Sequence, residues 1–238
     1  MRFTDTAGLL PHLAREEAER RHQYYLGPEH LLLGLLVEDD TPAVTELRTH
    51  GVPVEVGDDN LATRVLRAHR LTWAAVRAGI DRLVAAGVLP GPQPSDTELL
   101  ATLGIDLEEV MARLEESFGW EAYYDAAQNV RLRPAQPFPH APGAGTPLIC
   151  WRVFVLVREE AAARGQDITP AHWLLALLRD AQDPVQVTAH RYPMHRRERS
   201  LFGLPDHGPS PVRLLVEAHG LTLDQLRAAT LQELDQTR

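Results

Sequence analysis

Apolar positions fall at helical spacing from the start of the chain. Leu10, Leu13, Ala14 and Ala18 form a stripe on one face of a helix. That helix begins at Thr4 or Asp5, either of which can accept from the orphan amides of the first turn. Pro11 sits inside the pattern and removes the amide bond back to Ala7, which predicts a kink or a late start. Arg15 to Arg21 is a solvated face, and Gln23 to Gly27 is a turn. Pro28 suits a first helical position, where its missing N–H costs nothing. From His30 to Val37 the segment is apolar all round except at Gly34, the pattern of a central buried helix. Glu38-Asp39-Asp40 ends it, and a short helix from Pro42 to His50 follows, closed by Gly51.

The same order returns later. Leu148 to Arg164 reads as a helix with Ile149, Val153, Phe154, Val157 and Ala161 on one face, and Arg158-Glu159-Glu160-Ala161 echoes Arg15-Glu16-Glu17-Ala18. After a turn one residue shorter, Thr169 precedes Pro170-Ala171-His172-Trp173-Leu174-Leu175-Ala176-Leu177-Leu178. That run matches Pro28-Glu29-His30-Leu31-Leu32-Leu33-Gly34-Leu35-Leu36 position by position. A helix–turn–helix element recurs at Val65–Trp73, Leu99–Leu107 and Leu215–Leu223, with Arg70 where the other two carry glycine. Leu47–Val52 looks like a truncated fourth copy. Asp106 with Glu109, and Thr222 with Gln225, make capping boxes. The helices they start carry apolar stripes at Leu107, Val110, Met111, Leu114 and Phe118, and at Leu223, Leu226 and Leu234. Gly87–Ser95, Val130–Thr146 and Gln186–Pro211 read as irregular; the second is a Pro/Gly-rich linker and the third an insert.

Composition narrows the chemistry. The 238 residues suffice for one large or two small domains, and 44% are hydrophobic, enough for a core. The net charge of −9 argues against nonspecific nucleic-acid binding. No apolar run reaches the roughly 18 residues that span a bilayer, and no signal segment opens the chain. One cysteine, Cys150, excludes an internal disulfide and a cysteine zinc site, so the expected location is cytoplasmic. All basic side chains are arginine. Without lysine there is no P-loop and no Schiff-base chemistry. No nucleophile elbow or H-E-x-x-H motif is present, so we expect no enzyme, cofactor or metal. His30 and His172 read as structural histidines beneath their turns. His190, His195 and His207 share the insert with an arginine island of Arg191, Arg196, Arg197 and Arg199, which reads as a solvated loop or a contact for an acidic partner.

Arg2-Phe3-Thr4, Glu16-Glu17-Ala18, the run from Tyr25 to Leu36 and Gly104-Ile105-Asp106-Leu107-Glu108-Glu109-Val110 together resemble the N-terminal (Clp R) domain of the Clp ATPases, the ClpC type above all. The resemblance implies an all-α fold of two four-helix repeats about a pseudo-twofold axis. The expected division is a first repeat over 1–88, an extra half-motif and linker over 89–145, and a second repeat over 146–238 with an insert at about 186–211. No ATPase module is read after the second repeat, which implies a stand-alone protein of the kind found in actinobacteria.

The function implied is a non-catalytic module for peptides or proteins. It would capture degrons, phosphoarginine proteins or cyclic-peptide antibiotics, with no nucleic-acid or membrane partner. The alternative is a regulator or decoy of the full-length Clp ATPase and protease, which would confer antibiotic tolerance by sequestration. A hydrolase or metalloprotein would need a polar cluster that the sequence does not advertise. The implied ligand-binding residues are Phe3, Thr4, Pro28 and Glu29. Glu29 stands at the family's phosphoarginine-binding acid, where a carboxylate can pair with a guanidinium while helix-terminal amides face the phosphate. A glutamate in a first helical turn also simply favours the macrodipole. Pro28 replaces the family's threonine and removes a hydroxyl, and Ala171 replaces the acid in the second repeat. The phenylalanine that family members carry before Arg-Phe-Thr is missing, leaving Phe3, Trp151 and Phe154 for aromatic contact. Recognition is therefore expected in the first repeat or in the groove between the two.

Overall fold

The computed structural model describes residues 2–23, 25–94, 149–187, 199 and 202–236, with scattered positions between 101 and 117. The linker at 130–146, most of the stripe from Leu107 to Phe118, Arg191, Arg196, Arg197, His190 and His195 lie outside the described residues. What is described is helical: α1 Asp5–Arg20, α2 Pro28–Leu35, α3 Pro42–Thr49, α4 Leu61–Ala68, α5 Trp73–Ala85, α6 Trp151–Ala162, α7 Pro170–Asp180, α8 Pro211–Glu217 and α9 Leu223–Gln236, with one 3-10 turn at Gly57–Asp59. The fold is all-α, and among the described residues a parallel β-bridge joins Phe3 to Ile168.

Local sequence explains most boundaries. The Thr4 hydroxyl accepts from Ala7 N–H at the start of α1. Asn60 Oδ1 accepts from Ala62 N–H at 3.0 Å to open α4, and Thr72 does the same for α5. Thr222 and Gln225 close the expected capping box at 3.1 and 2.9 Å. Arg70 and Gly220 hold φ of 63° and 73° at the turns of two copies of the recurring element. Arginine thus adopts a left-handed conformation that glycine takes without steric cost. The helix expected from Leu148 begins at Trp151, because Ile149 N–H turns away to donate to Leu26 O at 3.0 Å.

Pro11 behaves differently from the expectation of a kink or a late start. The helix starts at Asp5 and runs on to Arg20 with Pro11 buried inside it. The Ala7 carbonyl, which loses its helical donor to the proline ring, accepts the Trp173 indole N–H at 3.0 Å. A donor from the later half thus satisfies a buried acceptor in the first.

Packing interlocks the two halves. α1 lies on α2 and α6 on α7, as the pattern of apolar faces requires. Gly34 admits the first contact: a Cβ there would stand 3.0 Å from the Ala14 backbone nitrogen. Other contacts cross between the halves. α4 packs on α7 and α9, while α8 packs on α2 and α5. Thr63 in α4 donates its hydroxyl to Leu35 O at 2.6 Å, satisfying a carbonyl at the end of α2. One hydrophobic cluster consequently runs through both halves, from Leu31 and Leu66 to Trp173 and Val216.

Trp173→Phe should cost about 1–3 kcal/mol by orphaning the buried Ala7 carbonyl. The cost should shrink by about 1 kcal/mol when Pro11→Ala restores an in-helix donor, a coupling that a double-mutant cycle of urea unfolding measures. Equal costs in both backgrounds would contradict this role for Pro11.

Candidate functional site

The two signature turns are built alike. Gln23 N–H bonds to Ala18 O at 2.9 Å and Gln166 N–H to Ala161 O at 3.2 Å. The residues before them, His22 and Gly165, both have positive φ, at 52° and 63°. Each turn then leads to a proline at the first helical position and a histidine two residues on. Gly27 N–H donates to His30 Nδ1 at 3.1 Å, and Thr169 N–H donates to His172 Nδ1 at 3.1 Å. Each imidazole therefore caps its own turn from below, and its proton must sit on Nε2.

The two rings differ in what Nε2 meets. His30 Nε2 donates to Gln23 Oε1 at 2.9 Å, and Gln23 Nε2 passes the chain on to Pro90 O at 2.8 Å. His172 Nε2 is buried without a partner among the described residues, and so is Gln166 Oε1, the counterpart of Gln23. Burial lowers His30, with Glu29 opposing and Arg21 adding to the shift. Burial, then Arg164, push His172 down to about 4, against the pull of Glu160. Both rings are neutral at pH 7. Among the described residues no three His, Cys, Asp or Glu side chains converge as metal ligands would.

Glu29 lies inside the protein, with 1% of its surface exposed. Its carboxylate folds back over Gly27, where a Cβ would stand 2.3 Å from Oε1, so a side chain at 27 would displace the Glu29 carboxylate. Glu29 Oε1 and the Tyr25 hydroxyl are both buried, and His30 Nδ1 lies 3.7 Å from Glu29 Oε1. Burial, reinforced by Glu29, raises the Tyr25 hydroxyl. The Tyr25 ring packs on His30 at 5.1 Å and on Phe202 of the insert at 5.9 Å.

Burial lowers the Arg199 guanidinium from its ordinary value, with Glu29, Tyr25, Asp206 and Asp180 opposing. Arg152 NH1 lies 3.6 Å from Asp180 Oδ1, and its other terminal nitrogen pairs with Asp183. Burial holds Asp180 up to about 6, with Arg152 opposing. Cys150 is buried, and burial followed by Glu29 and Asp180 raises its thiol well above the ordinary value, leaving it a small core residue.

The implied ligand residues separate into two places. Pro28 and Glu29 start α2. Phe3 and Thr4 instead run beside the other turn: Thr4 N–H donates to Ile168 O at 2.9 Å, Ile168 N–H to Arg2 O at 2.7 Å, and the Phe3 ring lies 6.3 Å from Trp173. Trp151 stacks on Phe154, which meets Trp173 edge-on.

A cavity of about 450 Å³ opens at the start of α7, between the halves. Glu55, Asp59 and Arg64 line it from one side; Gln166, Asp167 and Ala171 line it from the other. Carboxylates suit a cationic group there, and the Ala171 amide lies in the first turn of α7, where anions are favoured. Sequence reading missed this lining. The signal that was available is the recurrence of Gln23 at Gln166 in the matched turns; Glu55 and Asp59 come from a distant loop and carry no pattern.

Residues 2–72 match the Clp repeat (R) N-terminal domain. This stretch, which holds the Pro28-Glu29-His30 turn, is thus similar to a Clp N-terminal repeat. Over 97 residues the chain is 34% identical to the chaperone protein ClpC2, chloroplastic, of Oryza sativa subsp. japonica. The match takes in 41% of this chain and spans about a tenth of the relative's length, 10%. No helix among the described residues is long and apolar enough to cross a membrane.

The shifted groups set opposite pH dependences. An unfolded His172 takes up a proton near its ordinary 6.5 and the folded one only near 4, so stability is lost as pH falls across that window. Asp180, raised from 3.8 to about 6, binds its proton first in the folded chain and adds stability as pH falls from about 6. Asp180→Asn should therefore steepen the fall of the unfolding midpoint between pH 6 and pH 4; an unchanged slope would refute the assignment.

Proposed function

We propose that this chain is a non-catalytic, cytoplasmic binding module built of two Clp N-type repeats, which captures peptide or protein ligands for Clp-dependent handling. The observation that carries this reading is the Clp R-domain match over residues 2–72, joined to an open, charged cavity at the matching turn of the later half. The ligand class we favour is a peptide arginine, free or phosphorylated. Its guanidinium pairs with Asp167, Glu55 or Asp59, and a phosphate faces the first amides of α7. Phe3 and Thr4 border this site through the Arg2–Thr4 segment, since Arg2 N–H donates to Asp167 Oδ1 at 2.8 Å. Cyclic-peptide antibiotics are the second ligand to test, because they would meet the same border.

Calorimetric titration with phosphoarginine and with a cyclic-peptide antibiotic tests the reading. Saturable binding of phosphoarginine is expected. Asp59→Asn with Asp167→Asn should weaken it about tenfold or more, the loss of a charge-assisted hydrogen bond. Glu29→Gln should leave it within about twofold, because that carboxylate is inside the protein. No heat with either ligand would overturn the proposal.

A further inference from the structure

One residue recurs in the two matched turns and is held differently in each. Gln23 and Gln166 occupy the same place: each follows a residue of positive φ, and each donates its N–H to an alanine carbonyl in the preceding helix. In the earlier turn both ends of the carboxamide are engaged inside the protein. Gln23 Oε1 accepts from His30 Nε2 at 2.9 Å and from Arg21 Nε at 3.3 Å, and Gln23 Nε2 donates to Pro90 O at 2.8 Å. Gln23 is buried, and it ties its turn to the chain beyond α5.

The later turn is one residue shorter between the glutamine and the proline. There the same pair is not made. His172 Nε2 and Gln166 Oε1 are both buried and have no hydrogen-bond partner among the described residues. Gln166, only partly buried as a residue, instead forms part of the wall of the cavity at the start of α7, with Glu55 and Asp59 opposite. The ring is out of reach of an incoming group: His172 is fully buried, and the Thr169 N–H and hydroxyl both meet its Nδ1. Gln166 is not. Its terminal torsion is broad and roughly two-fold, so a half-turn exchanges the two ends of the carboxamide. An acceptor enclosed without a donor is unfavourable, and a donor entering the cavity relieves it.

The kind of donor follows from the rest of the wall. Asp167, Glu55 and Asp59 attract any cation. A guanidinium carries five N–H donors in a rigid plane and needs several acceptors around it, whereas an ammonium has three donors that rotate to suit. A neutral oxygen beside the carboxylates therefore adds little for an ammonium and supplies an acceptor that a guanidinium uses.

We infer that Gln166 is the specificity-determining residue of the α7 cavity: its carboxamide oxygen accepts an N–H from the ligand and selects an arginine side chain over a lysine side chain. This rests on the reading of the cavity as a site for peptide arginine, and it adds the residue that tells arginine from other cations. Gln23 has no such part, because His30 and Pro90 hold its carboxamide.

Thermal unfolding and binding together separate this role from a structural one. Gln166→Leu should leave Tm within about 2 °C of the parent, whereas Gln23→Leu should lower it by roughly 4 °C or more, since only the second loses hydrogen bonds. N-acetyl-arginine amide and N-acetyl-lysine amide are the probes, titrated against the backbone amides of Gln166 to Ala171 by NMR. The parent should bind the arginine probe about tenfold more tightly than the lysine probe. Gln166→Leu should reduce that ratio to about twofold by weakening the arginine probe alone, and Gln166→Glu, which keeps an acceptor oxygen, should bind the arginine probe at least as tightly as the parent. A ratio unchanged by Gln166→Leu, a Tm loss in Gln166→Leu equal to that in Gln23→Leu, a Gln166→Glu protein as weak as Gln166→Leu, or no binding of the arginine probe to the parent would overturn the inference. Arginine binding with an unchanged ratio sinks the inference and leaves the cavity reading intact. Phosphoarginine failing to bind while Gln166 still governs the arginine-to-lysine ratio removes the phosphate from that reading and supports the inference.

Discussion

The structure depends on how a helix buried on all sides begins. α2 and α7 are buried along most of their length, and the amides that open a helix have no partner within it. The protein answers with an imidazole at the third helical position, which accepts from the backbone N–H of the cap residue at 3.1 Å in both turns. Proline at the first position removes a further donor. With the termini satisfied, each helix is free to be apolar all round, and neighbours can pack on every face. That is why α4 reaches across to α7 and α8 to α2.

The crossing has consequences for recognition. A turn at the start of a central helix is always near another element, so what covers it decides whether it is a site. At α7 the cover is incomplete, and a cavity of about 450 Å³ remains beside Gln166 and Asp167. At α2 the turn is covered, with Phe202 packed on Tyr25 and Glu29 1% exposed. Glu29 stands on the closed side, while the open side carries Ala171 and draws its carboxylates from Asp167 and from the loop of the other half. A motif residue and an accessible site are thus different things in this chain.

Much of the fold was legible because its signals are local. Prolines 28 and 170 mark helix starts for a stereochemical reason, Thr222 with Gln225 reads directly as a capping box, and the stripe from Leu10 to Ala18 fixes which face of α1 is buried. What could not be read depends on contacts between distant residues. The fate of Pro11 is decided by Trp173, and the start of α6 by the Leu26 carbonyl. Glu29 looks like a ligand-facing acid in its own segment, yet it is buried, beneath a turn whose Tyr25 packs on the distant Phe202. Similarly, Arg199 reads as one member of a solvated island until Pro205 and Leu204 fold around it.

An amide NMR titration with a phosphoarginine peptide addresses the central claim that the open ligand site lies at the start of α7 while the start of α2 is closed. The account predicts shifts centred on the amides of Gln166 to Ala171 and on Asp59 and Arg64, with Gly27 to His30 unmoved. Shifts centred on Gly27 to His30, with the α7 amides silent, would contradict it.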